Sequence, residues 1–156
     1  MLPHKKKVCI KCKQKLALDR FEKPNIRTCK LCRSKRKVEI FTSSHFRFLK
    51  TVYVQLRYSR QKQGISWKII PEDLYELWEE QRGRCALSGE QLTLERGQGG
   101  LETNVSVDRI DPKGVYEKKN IQLVAKRVNL MKHTMNETEF LQWVLKIYKN
   151  SHGKKI

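Results

Sequence analysis

The sequence predicts an α+β fold, with a compact core of short strands flanked by helices behind a separate cysteine-rich module at the N-terminus. Three features carry that prediction. Two Cys-x-x-Cys pairs stand within the first 32 residues, in a segment almost free of helical periodicity. Apolar residues at helical spacing mark helices in the remaining chain. Short apolar runs bounded by Gly- and Pro-containing loops read as strands between them. In chain order this divides into a basic module over 1–38, a basic helical linker over 39–64, the main core over 65–150 and a flexible tail over 151–156.

In the first segment, Cys9-x-x-Cys12 and Cys29-x-x-Cys32 are separated by 16 residues. Each pair sets two thiolates on one tight turn, and two such turns can close a tetrahedral sulfur shell around zinc. Two disulfides or a redox pair are the alternatives. The opening residues MLPHKKKVCIKC lack the apolar stretch of a secretory signal. The chain is therefore expected in a reducing, intracellular (cytoplasmic) space, which argues against disulfides. A redox motif would not need the second pair. The expectation is a structural zinc on Cys9, Cys12, Cys29 and Cys32, with no open position for substrate. So polar a segment cannot build its own core, so the metal should contribute folding free energy on the order of 10 kcal/mol or more. Cys85 has Ser88 where a second pair would need a cysteine, and reads as a small core residue.

The formal charge is +18, from 34 Lys and Arg against 16 Asp and Glu, and its placement is uneven. Residues 1–38 hold 14 Lys or Arg against Asp19 and Glu22, whereas Glu72 to Glu102 holds eight acids against Arg82, Arg84 and Arg96. A strongly positive end attracts a polyanion through counterion release. Charge alone does not separate a DNA-acting protein from an RNA-coating one. No run approaches the ~18–20 apolar residues of a membrane span, so no membrane partner is expected.

Residues 41–63 read as a helix, with Phe48, Val52 and Gln55 or Leu56 on one side. Arg47, Lys50, Arg57, Arg60 and Lys62 supply a basic face, and Gly64 ends it. Lys35 and Arg36 of the module, with Arg57 and Arg60 of this helix, are candidate DNA contacts. Pro71, Glu72 and Asp73 start the next helix, with acids at the positive end of the dipole. Leu74, Leu77, Trp78 and Gln81 form its face and Gly83 stops it. Strands are expected near 90–95, 104–110 and 120–124, the first two joined by the loop RGQGGLE, with a helix from about Ala125 to Lys132. Asn136 and Glu139 have capping-box spacing for a last helix, whose apolar positions Phe140, Val144, Ile147 and Tyr148 sit on one stripe. Trp67, Trp78 and Trp143 read as core anchors.

The stretch 105–132, VSVDRIDPKGVYEKKNIQLVAKRVNLMK, carries the chemistry. Asp108 and Asn129 offer oxygens suited to a hard cation such as magnesium. Residues of these types at strand and helix ends are otherwise caps and turn formers. The stretch resembles the ββα-metal nucleases, specifically the HNH endonucleases common in bacteriophages. Asp108, Arg109, Ile110, Asp111, Gly114, Tyr116, Asn120, Ile121 and Val124, then Asn129 and Lys132, follow the pattern of that family. Val115, between Gly114 and Tyr116, is a departure from it. GRCALSGEQLT over 83–93 resembles the segment that opens such domains, and a double Cys-x-x-Cys knuckle is a frequent companion.

The resemblance implies a ββα-metal core over about 65–147 and cleavage of DNA, presumed double-stranded, in a bacterial cell. It implies that Asp108 and Asn129 hold Mg2+ or another divalent cation, and that Asn120 pins the loop between the strands. Lys132 and Arg127, on one helix, become candidate contacts to the DNA backbone. Position 109 usually carries a His that activates water, but here it is Arg109, which stays protonated and cannot accept a proton. Arg109 can instead clamp a phosphate. His133, four residues after Asn129, is the first alternative base; His45 and Tyr116 are weaker ones. A non-catalytic nucleic-acid-binding protein of the same fold, or a resolvase of branched DNA, would share these features. Oligomeric state stays open, a dimer included.

Overall fold

The computed structural model describes residues 5–95 and 101–153. The chain forms two compact units, Met1–Arg47 and Phe48–Ile156. No helix among the described residues is long and apolar enough to cross a membrane.

In the first unit, β1 (Lys6–Val8) pairs antiparallel with β2 (Lys15–Ala17), and Cys9 and Cys12 lie in the turn between them. Lys13 takes a left-handed backbone, φ 60°, and its N–H returns to the Cys9 carbonyl at 2.8 Å. α1 (Lys30–Thr42) follows, with Cys29 at its N-cap and Cys32 in its first turn. This helix lies within a region expected to have little helical order. It buries no residue, so it leaves no apolar stripe to read. Among the described residues, Cys9, Phe21 and Cys29 form a small core cluster in this unit, with Leu16 and Cys32 packed on it.

A break at Ser43, whose hydroxyl accepts the Phe46 N–H at 3.0 Å, separates α1 from α2 (Ser44–Gln61). The single helix expected over 41–63 is thus α2 preceded by the last turn of α1. Gly64, at φ 68°, follows its end.

The second unit is built on β3 (Val105–Arg109) and β4 (Ile121–Ala125), antiparallel with Asp108 opposite Gln122. α4 (Lys126–Lys132) packs back on both strands, and α3 (Pro71–Glu80) lies against β4. All five residues of β4 are buried because both faces are covered. Leu74, Trp78, Val105, Val107, Leu123 and Val124 are among the core residues. α3 starts as its sequence dictates, with Pro71 in the first turn and the Asp73 carboxylate accepting the Ile70 N–H at 2.9 Å. Gly83 stops it: at φ 66°, a Cβ there would meet the Trp78 ring at 2.9 Å. The Gln81 side chain then clamps the edge of β4, donating to the Leu123 carbonyl at 2.7 Å and accepting its N–H at 2.9 Å.

Two expectations need correction. The strand near 90–95 reduces to isolated bridges at Gln91 and Thr93; of the loop that follows it, residues 96–100 lie outside the described residues. α5 (Glu137–Gly153) begins where Asn136 caps the Glu139 N–H at 2.9 Å, but only Phe140 of its apolar stripe is buried. Trp143 is exposed rather than a core anchor, whereas Trp78 is buried and Trp67 stacks on Tyr116 at 4.7 Å.

Candidate functional site

The ligand atoms of Cys9, Cys12, Cys29 and Cys32 all lie within 4.8 Å of one another. A tetrahedral Zn–S shell with bonds of about 2.3 Å sets its sulfurs about 3.8 Å apart, so the four cysteines fit such a shell. The Cys29 N–H already points at the Cys9 sulfur, 3.3 Å away. Backbone N–H groups of Cys12 and Cys29 pull the Cys9 thiol down to about 6, whereas burial and the neighbouring thiols push Cys32 up to about 12. Four thiols this close cannot all ionise without a cation among them, which is the condition a zinc ion satisfies.

The second site lies on the hairpin. Side chains alternate along a strand, so Ser106 and Asp108 share one face of β3. α4 lies along that face: Asn129 donates to the Ser106 hydroxyl at 2.7 Å, and one turn later Lys132 reaches Asp108. The Lys132 ammonium is 3.1 Å from both carboxylate oxygens and 2.8 Å from the Arg109 carbonyl. Lys132 is 0% and Asp108 5% exposed. Lys132 is therefore not a surface contact for DNA; it is the internal counter-ion of Asp108. Gln122, opposite Asp108 in the ladder, donates to Asp108 at 3.1 Å and to Glu137 at 3.0 Å. Two carboxylates are thus joined through one buried amide. Glu137 also lines an open cavity of about 470 Å³ with Ile110, Asp111, Asn136, Thr138, Glu139 and Gln142. Sequence reading missed both Gln122 and Glu137. The only available signal was their placement, one across the strand pair from Asp108 and the other in the first turn of α5.

The loop between the strands is held by Asn120. Its amide oxygen accepts the Asp111 N–H at 2.9 Å, and its nitrogen donates to the carbonyls of Asp111 and Val115 at 3.1 and 3.0 Å. Gly114 lets the Asn120 amide approach, since a Cβ there would stand 2.6 Å from its nitrogen. Arg109 is engaged in the same loop: its Nη1 donates to the Gly114 carbonyl at 2.8 Å, and its guanidinium lies 5.0 Å from the centre of the Tyr116 ring.

His133 follows α4 with a left-handed φ of 51°, so the helical register that would align it with Asn129 stops one residue short. Its ring is exposed beside the Thr134 hydroxyl. Tyr116 is buried, and His45 is exposed on α2. Arg127 pairs with Glu102. Arg57 is exposed and donates to the Tyr53 hydroxyl at 3.3 Å, and Arg60 bonds Gln63 at 2.9 Å. Lys35 and Arg36 are exposed on α1.

The donor set of the hairpin site is oxygen-rich and hard, with the Asp108 carboxylate and the Asn129 amide on one face. A cation, the Lys132 ammonium, already sits on both Asp108 oxygens, so Asp108 has the surroundings of a cation ligand. Among the described residues, only the four cysteines bring three or more Cys, His, Asp or Glu ligand atoms close together. A divalent ion on the hairpin would thus rest on one carboxylate, amide oxygen and water, a weak-site pattern common for magnesium.

Two antiparallel strands, a pinned loop and a helix folded back across them make up this site, and a solved structure resembles the chain in fold. It is the rare-cutting HNH restriction endonuclease PacI, with a TM-score of 0.50 and 20% sequence identity, covering 94% of this chain and 96% of that one. The likeness is one of fold and takes in nearly the whole chain. No protein-family model and no curated protein matches the sequence.

Proposed function

We propose that this chain is a metal-dependent DNA endonuclease that hydrolyses phosphodiester bonds. The observation that carries the reading is the shared face of β3 and α4, where Asp108 and Asn129 stand behind a loop pinned by Asn120. Asp108 and Asn129 would hold Mg2+ or a similar ion, which neutralises charge on the scissile phosphate and stabilises the leaving 3′ oxygen when bound. Lys132 holds the Asp108 carboxylate in place. Asn120 and Arg109 fix the loop, and the guanidinium donors of Arg109 not spent on Gly114 are available to a phosphate. Glu137 is favoured over His133 as the acceptor of the water proton. It is tied to Asp108 through Gln122 and lines an open cavity, whereas His133 lies beyond the helix end.

The basic first unit and the basic residues of α2 would hold double-stranded DNA through its phosphates, with zinc ordering the cysteine module. One observation favours a second reading, a DNA-binding protein that does not cut: both Asp108 oxygens are already satisfied by Lys132. Incubation of supercoiled plasmid with Mg2+ or with EDTA separates the two. The nuclease converts it to nicked or linear form only with the metal; the binder retards it and leaves it intact.

A further inference from the structure

Gln122 spends its side-chain donors on two carboxylates. It stands directly opposite Asp108 in the strand ladder, so the two side chains leave the same face of the hairpin. Its Nε2 donates to Asp108 Oδ2 at 3.1 Å and to Glu137 Oε2 at 3.0 Å, and the residue is 7% exposed. The orientation of this amide is forced, because turning it over would set its oxygen against two acceptors.

The two carboxylates differ in how else they are held. Asp108 has the Lys132 ammonium on both oxygens and keeps its place without Gln122. Glu137 is half-buried in the first turn of α5, a helix in which Phe140 is the one buried residue. Among the described residues, the bond from Gln122 is the one hydrogen bond or ion pair that holds the Glu137 side chain. A carboxylate on so lightly packed a helix end otherwise samples several rotamers, and a misplacement of about 1 Å can cost ~10²-fold in rate. We infer that Gln122 is a positioning residue: it draws the first turn of α5 to the hairpin and holds the Glu137 carboxylate on the Asp108 face. Its amide is neither acid nor base at any usable pH, so Gln122 acts through Glu137. The effect on cutting rests on the reading of Glu137 as proton acceptor; the link between the two side chains does not.

Single-turnover cleavage of supercoiled plasmid by the full zinc-loaded chain with Mg2+ tests it. Gln122→Met keeps the length and packing of the side chain and removes both donors. It should slow cutting about 10–100-fold and leave plasmid affinity unchanged. In a Glu137→Ala background the same substitution should cost no more than about twofold further, because the group it positions is gone. A merely structural glutamine would cost the same in both backgrounds. Undiminished cutting by Gln122→Met, or losses that multiply, overturns the inference. A wild type that cuts nothing removes the nuclease reading instead, and the link is then read from the Gln122 side-chain amide in a proton–nitrogen NMR correlation. Its protons should exchange slowly with solvent in the wild type, and Glu137→Ala should speed that exchange at least several-fold. Exchange unchanged by Glu137→Ala overturns the inference, and this readout also decides the matter if Gln122→Met fails to fold.

Discussion

The ammonium of Lys132 sits equidistant, at 3.1 Å, from the two carboxylate oxygens of Asp108, and both side chains are buried. Breaking a buried pair by removing one partner leaves an uncompensated charge and costs about 3–5 kcal/mol. Lys132→Met should lose stability of that order in urea or guanidinium unfolding. It should also gain more in melting temperature from added Mg2+ than the wild type does, because the ion then finds Asp108 without a competing cation. Equal shifts in the two proteins would show that the ion does not bind at Asp108.

The loop rests on three side-chain hydrogen bonds from Asn120. At about 1 kcal/mol each, Asn120→Ala should cost roughly 2–3 kcal/mol. Gly114→Ala should act on the same bonds by pushing the Asn120 amide away, so the double variant should be less destabilised than the sum of the singles. Additive losses in equilibrium unfolding would contradict the coupling.

Zinc on the four cysteines is expected to stabilise a unit whose described core cluster is small. Chelation, or Cys29→Ser, should reduce far-UV circular dichroism as the first unit unfolds. All three tryptophans (Trp67, Trp78 and Trp143) belong to the second unit, so their emission should hold. A zinc content near zero in folded, purified protein would remove the metal from the account.

Glu137→Gln should lower the cleavage rate by about 10²–10⁴-fold, the usual contribution of a positioned general base, with little change in melting temperature. His133→Ala should change the rate far less. The reverse ranking in single-turnover cleavage would return the role to His133.

Much of this architecture is local and could be read from the chain. Cys9, Cys12, Cys29 and Cys32 announce themselves by spacing, Pro71 and Gly83 bracket α3, and Asn136 starts α5. What escaped depends on contacts distant in sequence. Lys132 reads as a solvated lysine on a short helix until it meets Asp108, 24 residues earlier. Gln122 and Glu137 become significant only when the hairpin register and the first turn of α5 bring them to one amide–carboxylate chain. α1 buries nothing, so it carries no periodicity. The stripe of α5 was legible as apolar, but its burial in the core was not, since only Phe140 lies close enough to be covered.

The central claim is that Asp108 anchors a metal-dependent nuclease site, and supercoiled plasmid tests it most directly. Wild-type protein with Mg2+ should produce nicked or linear DNA, EDTA should stop it, and Asp108→Ala should leave the plasmid supercoiled while still retarding it on a gel. Undiminished cutting by Asp108→Ala, or an intact plasmid with the wild type and every divalent metal tried, would contradict the account.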